Sequence, residues 1–229
     1  NNTASGYKAL SSNTTSSYST AVGGFALTAQ TTGNRNTASG YTAMFANTTG
    51  ANNTAYGMSA LRGNTTGLYN TATGVYCLYE NTTANGNTAS GFKALTTSTT
   101  SSYNTASGFY ALKANTSGYQ NTAFGAEALQ TNTTAYGCTA TGARALYANT
   151  TGNTNTANGM DALKNNTTGT ANVAMGFRSL HTNTTSNYIV AVGEKSLYNS
   201  TGAKCTGIGY GTLFTNTTGS NNTGSGYGA

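Results

Sequence analysis

Proline and tryptophan are absent from the 229 residues, histidine occurs once, and only four side chains are acidic. Each shortage removes a class of function. With His181 alone, and with Glu80, Glu127, Asp161 and Glu194 scattered singly, no nucleophile, base and orienting acid lie at catalytic spacing, so no catalysis is expected. Charged residues make up 6% of the chain against about 25% in ordinary soluble domains, and hydrophobic residues 36% against about 45–50%. That composition argues against a conventional globular core. No apolar stretch approaches the ~18 residues of a membrane-spanning helix. The first residues already lie inside a repeat, so no signal or transit segment is expected in this stretch. The net charge of +6 comes from ten isolated Lys and Arg without a basic run, and the aromatics are not interleaved with a basic track, so no nucleic-acid partner is expected.

What is abundant is periodic. Gly6, Gly23, Gly40, Gly57, Gly74, Gly91, Gly108, Gly125, Gly142, Gly159, Gly176 and Gly193 are each 17 residues apart. Gly209 follows after 16 and Gly226 resumes the 17-residue step; Leu197-Tyr198-Asn199 reads as the place where one residue before the Asn is lost. The consensus N-T-A-x-G-x-x-A-L-x-x-N-T-T-G-x-x defines slots 1 to 17. Leu or its near-isostere Met fills slot 9 throughout, at Leu10, Leu27, Met44, Leu61, Leu78, Leu95, Leu112, Leu129, Leu146, Leu163, Leu180, Leu197 and Leu213. This column is the expected core.

So short a repeat cannot hold two packed helices, and Asn-Thr-Ala-x-Gly is poor helix material. Two extended stretches, Asn-Thr-Ala-x-Gly and x-x-Ala-Leu, separated by a turn at Asn-Thr-Thr-Gly, make one coil. The expectation is an all-β fold, a parallel β-solenoid or β-roll of about thirteen 17-residue coils stacked at ~4.8 Å. Residues 1–229 read as one continuous array without caps, a segment of a longer fibre, with self-association by end-to-end stacking. The invariant Gly implies a close backbone approach, across a narrow coil or to a neighbouring chain.

Slot 12 places Asn13, Asn47, Asn64, Asn81, Asn115, Asn132, Asn149, Asn166, Asn183, Asn199 and Asn216 in line, suited to a turn and to a ladder of stacked amides. These sites also match the N-glycosylation acceptor pattern, although glycans on every ~4.8 Å rung would collide. In slot 7, Glu127, Arg144, Asp161, Arg178 and Lys195 read as an exposed column of mostly alternating charge. Glu127 and Asp161 would stand ~9–10 Å apart, near the upper end of inverting glycosidase separations, with Arg144 between them. Cys77, Cys138 and Cys205 fill slots that elsewhere hold Ala or Asn, and Cys138 and Cys205 stand four coils apart, too far for a disulfide. No metal, no cofactor and no staple is expected.

The segments Thr20-Ala21-Val22-Gly23, Val173-Ala174-Met175-Gly176-Phe177-Arg178-Ser179 and Val190-Ala191-Val192-Gly193-Glu194-Lys195-Ser196 resemble the S-V-A-I-G-x-x-S motif of trimeric autotransporter adhesin heads. The commoner N-T-A-x-G-x-x-A-L form is similar to repeats of bacteriophage tail fibres. The resemblance, one motif per repeat, implies a left-handed β-roll, a homotrimer and a role as an extracellular fibre or adhesin shaft. Thr in place of the inward Val, a longer repeat, and the lack of a neck, stalk or anchor depart from the adhesin pattern.

The expected function is therefore that of a structural fibre or filament subunit at a cell or virion surface, serving adhesion or matrix formation. The alternatives are a ligand-binding solenoid for ice or glycans and a phage-type shaft. Ice binding needs two outward Thr columns, and the adjacent Thr48 and Thr49 point to opposite sides of an extended chain. Tyr18, Tyr69, Tyr103 and Tyr188 in slot 17, with Tyr79, Tyr147 and Tyr198 in slot 10, are the rings available to stack on surface glycans or another fibre.

Overall fold

Asn-Thr-Ala-x-Gly supplies only three residues that can stay extended, because the recurring glycine leaves the β region. The structure, a computed structural model, describes residues 1–229 and holds fourteen three-residue strands and no helix. It is an all-β parallel solenoid of about thirteen turns. The chain divides into two compact units, Asn1–Ser117 and Gly118–Ala229. The first contains β1 (Thr3–Ser5), β2 (Thr20–Val22), β3 (Thr37–Ser39), β4 (Thr54–Tyr56), β5 (Thr71–Thr73), β6 (Thr88–Ser90) and β7 (Thr105–Ser107). The second contains β8 (Thr122–Phe124), β9 (Thr139–Thr141), β10 (Thr156–Asn158), β11 (Val173–Met175), β12 (Val190–Val192), β13 (Thr206–Ile208) and β14 (Thr223–Ser225).

Within each unit, consecutive strands pair in parallel with slot on slot. Thr37 faces Thr54 and Ala38 faces Ala55, and in the second unit Ala157 faces Ala174. The middle Ala points inward and is buried, while its two neighbours point outward. Ala in slots 3 and 8 and Leu in slot 9 form the interior; Leu27 through Leu197 in that column are fully buried. Leu10 is buried and Leu213 half-buried. Small side chains on two sides leave room for only one large one per coil.

The second expected strand is not a strand. From slot 6 to slot 11 the chain runs through consecutive turns. Ala43 N–H donates to Gly40 O, Phe45 N–H to Thr42 O and Asn47 N–H to Met44 O, each reaching three residues back. The intervening amides bond to other coils instead: Thr42 N–H to Gly24 O, Met44 N–H to Ala60 O and Ala46 N–H to Arg62 O. From Thr42 to Asn47 every backbone donor is thus used, alternately between coils and within the coil. Two of these turns place slots 7 and 9 at the corner that needs positive φ. The slot 9 residues lie at φ 48–55°, although Leu disfavours this region by about 1–2 kcal/mol. Burial of the Leu side chain, worth about 1.5–3 kcal/mol, offsets that local cost.

The short repeat is also read differently. Ser200 N–H donates to Leu197 O, as slot 12 Asn does in other coils, and Ser200 is fully buried. Asn199 stands half-buried in slot 11 and donates to Phe214 O. The lost residue is therefore one of the two corner threonines. A corner can shed a residue without shifting the slots that pair above and below it.

Candidate interaction surfaces

The invariant glycine packs coil on coil. A Cβ on Gly40 would stand 2.4 Å from Gly57 O, so the close approach is to the next rung. Two asparagine ladders run beside it. In slot 12, Asn64 Nδ2 donates to Asn47 Oδ1 and Asn81 Nδ2 to Asn64 Oδ1, both at 2.7 Å; in the second unit Asn166 donates to Asn149 and Asn183 to Asn166. In slot 1, Asn53 N–H donates to Asn36 Oδ1 and Asn53 Nδ2 reaches Gly67 O. Asn64 Nδ2 donates to the same Gly67 carbonyl at 3.2 Å, tying the two columns together.

This geometry favours the ladder reading of slot 12 over that of glycan acceptors. Asn47, Asn64, Asn81, Asn115, Asn132, Asn149, Asn166 and Asn183 have no exposed surface, and Asn13 and Asn216 are only partly open. A glycan on the buried amides would break the ladder and the coil. Cysteine imitates the slot 1 amide: Cys138 Sγ donates to Gly152 O and Cys205 Sγ to Gly219 O, both at 3.2 Å and 14 residues ahead, as Asn155 does to Gly169. All three thiols are buried and free. Burial pushes Cys77 up to about 12 and Cys138 up to about 11, each partly opposed by backbone hydrogen bonds.

The slot 7 charges are set on turns, not on a strand, and Asp161 is buried rather than solvated. Arg144 grips it like a fork: Nη2 donates to Oδ2 at 3.2 Å, while Nε lies 2.9 Å from Oδ1 at an angle that leaves an ion pair rather than a hydrogen bond. Arg178 and Lys164 add charge at 3.6 and 3.8 Å. Lys195 turns to Glu194 beside it. A carboxylate covered by two guanidinium groups does not face a substrate, so the pairing of Glu127 with Asp161 has no access for glycoside chemistry. His181, stacked on Tyr198 at 5.0 Å, has its pKa lowered by burial; Asp161 opposes the shift and Lys164, Arg178 and Arg144 add to it.

Two outer faces follow from the coil. On the strand face, slots 2 and 4 flank the inward Ala, so Thr71 with Thr73, and Thr139 with Thr141, form outward pairs that the adjacent Thr48 and Thr49 do not. Slot 4 also carries Val22, Tyr56, Phe124, Met175 and Ile208, which breaks any regular hydroxyl lattice. On the turn edge, slots 6 to 11 carry every charged side chain except Arg35 and Lys204. Here cations and rings do alternate, unlike the reading from sequence spacing: Lys8 lies over Tyr7, Arg62 over Phe45 and Lys93 over Phe92. In the second unit the edge opens into a trough of about 460 Å³ lined by Arg178, Lys195, Tyr198, Tyr210 and Phe214. Tyr18, Tyr69, Tyr103 and Tyr188 project from slot 17, each more than 60% exposed.

Neither a protein-family model nor a curated protein sequence matches the chain.

Proposed function

We propose that the chain is a structural fibre or filament subunit of a cell or virion surface, used for adhesion or matrix formation rather than for catalysis. One observation carries this reading: the recurring residues are all committed to holding the next coil. Gly in slot 5 touches Gly, Ala in slot 3 touches Ala, and Asn in slots 1 and 12 bonds to the neighbouring rung. Most of the positions that vary point outward. A scaffold that repeats its interior and diversifies its surface is suited to extending a contact area, and solenoids do this by stacking units whose energetics depend on nearest neighbours.

The resemblance to adhesin heads and phage fibres adds support for surface display and for association with further copies, as a trimer or end to end. Electron microscopy of the purified chain across a concentration series tests this. Filaments or ordered oligomers are expected; a monomer at every concentration would count against the reading.

A further inference from the structure

We propose that the turn edge of the first unit is a binding track for an acidic polysaccharide of sparse charge, with the recess beside Tyr76, Tyr79 and Lys93 as its best-formed sugar subsite. The proposal rests on the adhesive part of the function above and names what is held.

The edge is a chain of contacts that does not break. Tyr7 meets Phe25 edge-on with centroids 5.2 Å apart, and Phe25 meets Phe45 at 6.4 Å. Arg62 bridges the next gap, 5.2 Å from the Phe45 ring and 5.6 Å from Tyr79. Tyr79 packs on Tyr76 at 5.5 Å and Tyr76 on Phe92 at 6.5 Å. Phe92 stacks on Phe109 at 5.6 Å, and Lys113 closes the run 4.4 Å from the Tyr110 ring. Beneath them Leu27, Met44, Leu61, Leu78, Leu95 and Leu112 in slot 9 are fully buried. Tyr7 and Phe109 remain 67% and 47% exposed. Phe25, Phe45, Tyr76 and Tyr79 between them are half-buried, and a contiguous aromatic strip left partly open in this way marks an interaction surface.

Charge selects the partner. Four cations, Lys8, Arg62, Lys93 and Lys113, stand along the edge against one acid, Glu80. They are spread over seven coils at ~4.8 Å per coil, roughly one charge per 7–10 Å. A nucleic acid brings a charge at every nucleotide and stacks its bases on open ring faces. Here the charges are too few, and the cations already occupy ring faces. A polysaccharide with an occasional carboxylate fits both facts: its C–H surfaces pack on the rings, its hydroxyls meet the Tyr hydroxyls and Glu80, and its acids meet the cations. The recess holds about 380 Å³ and is lined by two aromatic walls, Tyr76 and Tyr79, and three polar side chains, Glu80, Lys93 and Thr96, a mixture suited to one sugar ring with its hydroxyls.

Binding of the full chain to hyaluronan, which carries one carboxylate per disaccharide, to neutral dextran and to oligo(dT) would be compared by biolayer interferometry. The parent and the double variant Arg62→Gln/Lys93→Gln are measured side by side, with matched circular dichroism and melting showing that both fold. Hyaluronan is expected to bind, to lose roughly tenfold or more in the variant, and to weaken at about 0.5 M salt. Dextran and oligo(dT) should bind at least about tenfold more weakly. No binding of hyaluronan, equal binding by the variant, or tighter binding of oligo(dT) would each overturn the proposal. Filaments without polysaccharide binding would overturn this inference alone, whereas binding without filaments would overturn the fibre reading and leave the track.

Discussion

Gly91 lies directly against Gly108 of the next coil, so closely that a Cβ on Gly91 would stand 2.6 Å from the Gly108 carbonyl oxygen, and its φ is +129°. Both facts forbid a side chain. Gly91→Ala is expected to lower stability by at least about 3 kcal/mol, from backbone strain and from a clash that moving one side chain cannot relieve. Gly137, at φ +66° in slot 17, is the contrasting case. A Cβ there meets only the Thr154 methyl at 3.4 Å, and Asn52 and Asn221 occupy the same slot at φ 58° and 60°. Gly137→Asn should change the melting temperature little. Equal effects from the two substitutions would contradict the stacking account.

Asn81 Oδ1 is buried without a hydrogen-bond partner, and the sequence of the next coil explains it. Slot 12 there is Ser98, whose hydroxyl bonds to Ser101 and does not extend the ladder to Asn81. Ser98→Asn would supply the missing amide donor, in a slot where Asn183 already coexists with a serine three residues on, Ser186. A gain of about 1 kcal/mol is expected, the lower end of what an unsatisfied buried acceptor costs. Asn64→Leu, which orphans Asn47 Oδ1 and removes the Oδ1 that accepts from Asn81 Nδ2, should lose about 2–4 kcal/mol. Urea unfolding of the three proteins measures both changes.

The period, the leucine interior and the asparagine ladder were legible because each is a column of one residue type, and a column in sequence is a line in a stacked coil; the glycine column signalled a close approach, but its partner is the next coil and neither the far side of the same coil nor a neighbouring chain. The turns at slots 7 and 9 were not. Leu and Met are among the residues least expected at positive φ, so x-x-Ala-Leu read as extended chain. The true outward threonine pair was hidden because slot 4 varies, while the Thr-Thr that recurs in most coils at slots 13 and 14 drew attention to the corner. The aromatic and basic track was missed for a geometric reason. Residues such as Arg62 and Tyr79 are far apart in sequence and one rung apart in space.

Cys77 and Cys138 are fully buried, and their thiols are held at about 12 and about 11. At pH 8 almost no thiolate is present at either site, and thiolate is the reactive form. Neither should react with iodoacetamide over hours in the folded chain, and both should label in urea, as mass spectrometry of tryptic peptides would show. Labelling of Cys138 in the native protein would mean that its sulfur does not occupy the asparagine slot.

His181 has a lowered pKa in the folded chain, so the unfolded chain binds its proton more readily. Stability is then fully present above the usual value of 6.5 and falls as pH drops below it, levelling off once the folded form is also protonated. Melting temperature should decline between pH 7.5 and 5. His181→Gln should remove that part of the slope and leave a flatter profile. An unchanged slope in the variant would assign the dependence to other groups.

Stacked, in-register coils are the claim on which everything else depends, and cryo-electron microscopy of filaments formed by the chain tests it most directly. Power spectra should carry a strong layer line near 4.8 Å, the spacing of hydrogen-bonded strands. Three-dimensional reconstruction should place one coil on each rung, of 17 residues except for the single 16-residue coil between Gly193 and Gly209. Filaments lacking that layer line, or a reconstruction whose rungs do not follow this residue count, would contradict the account.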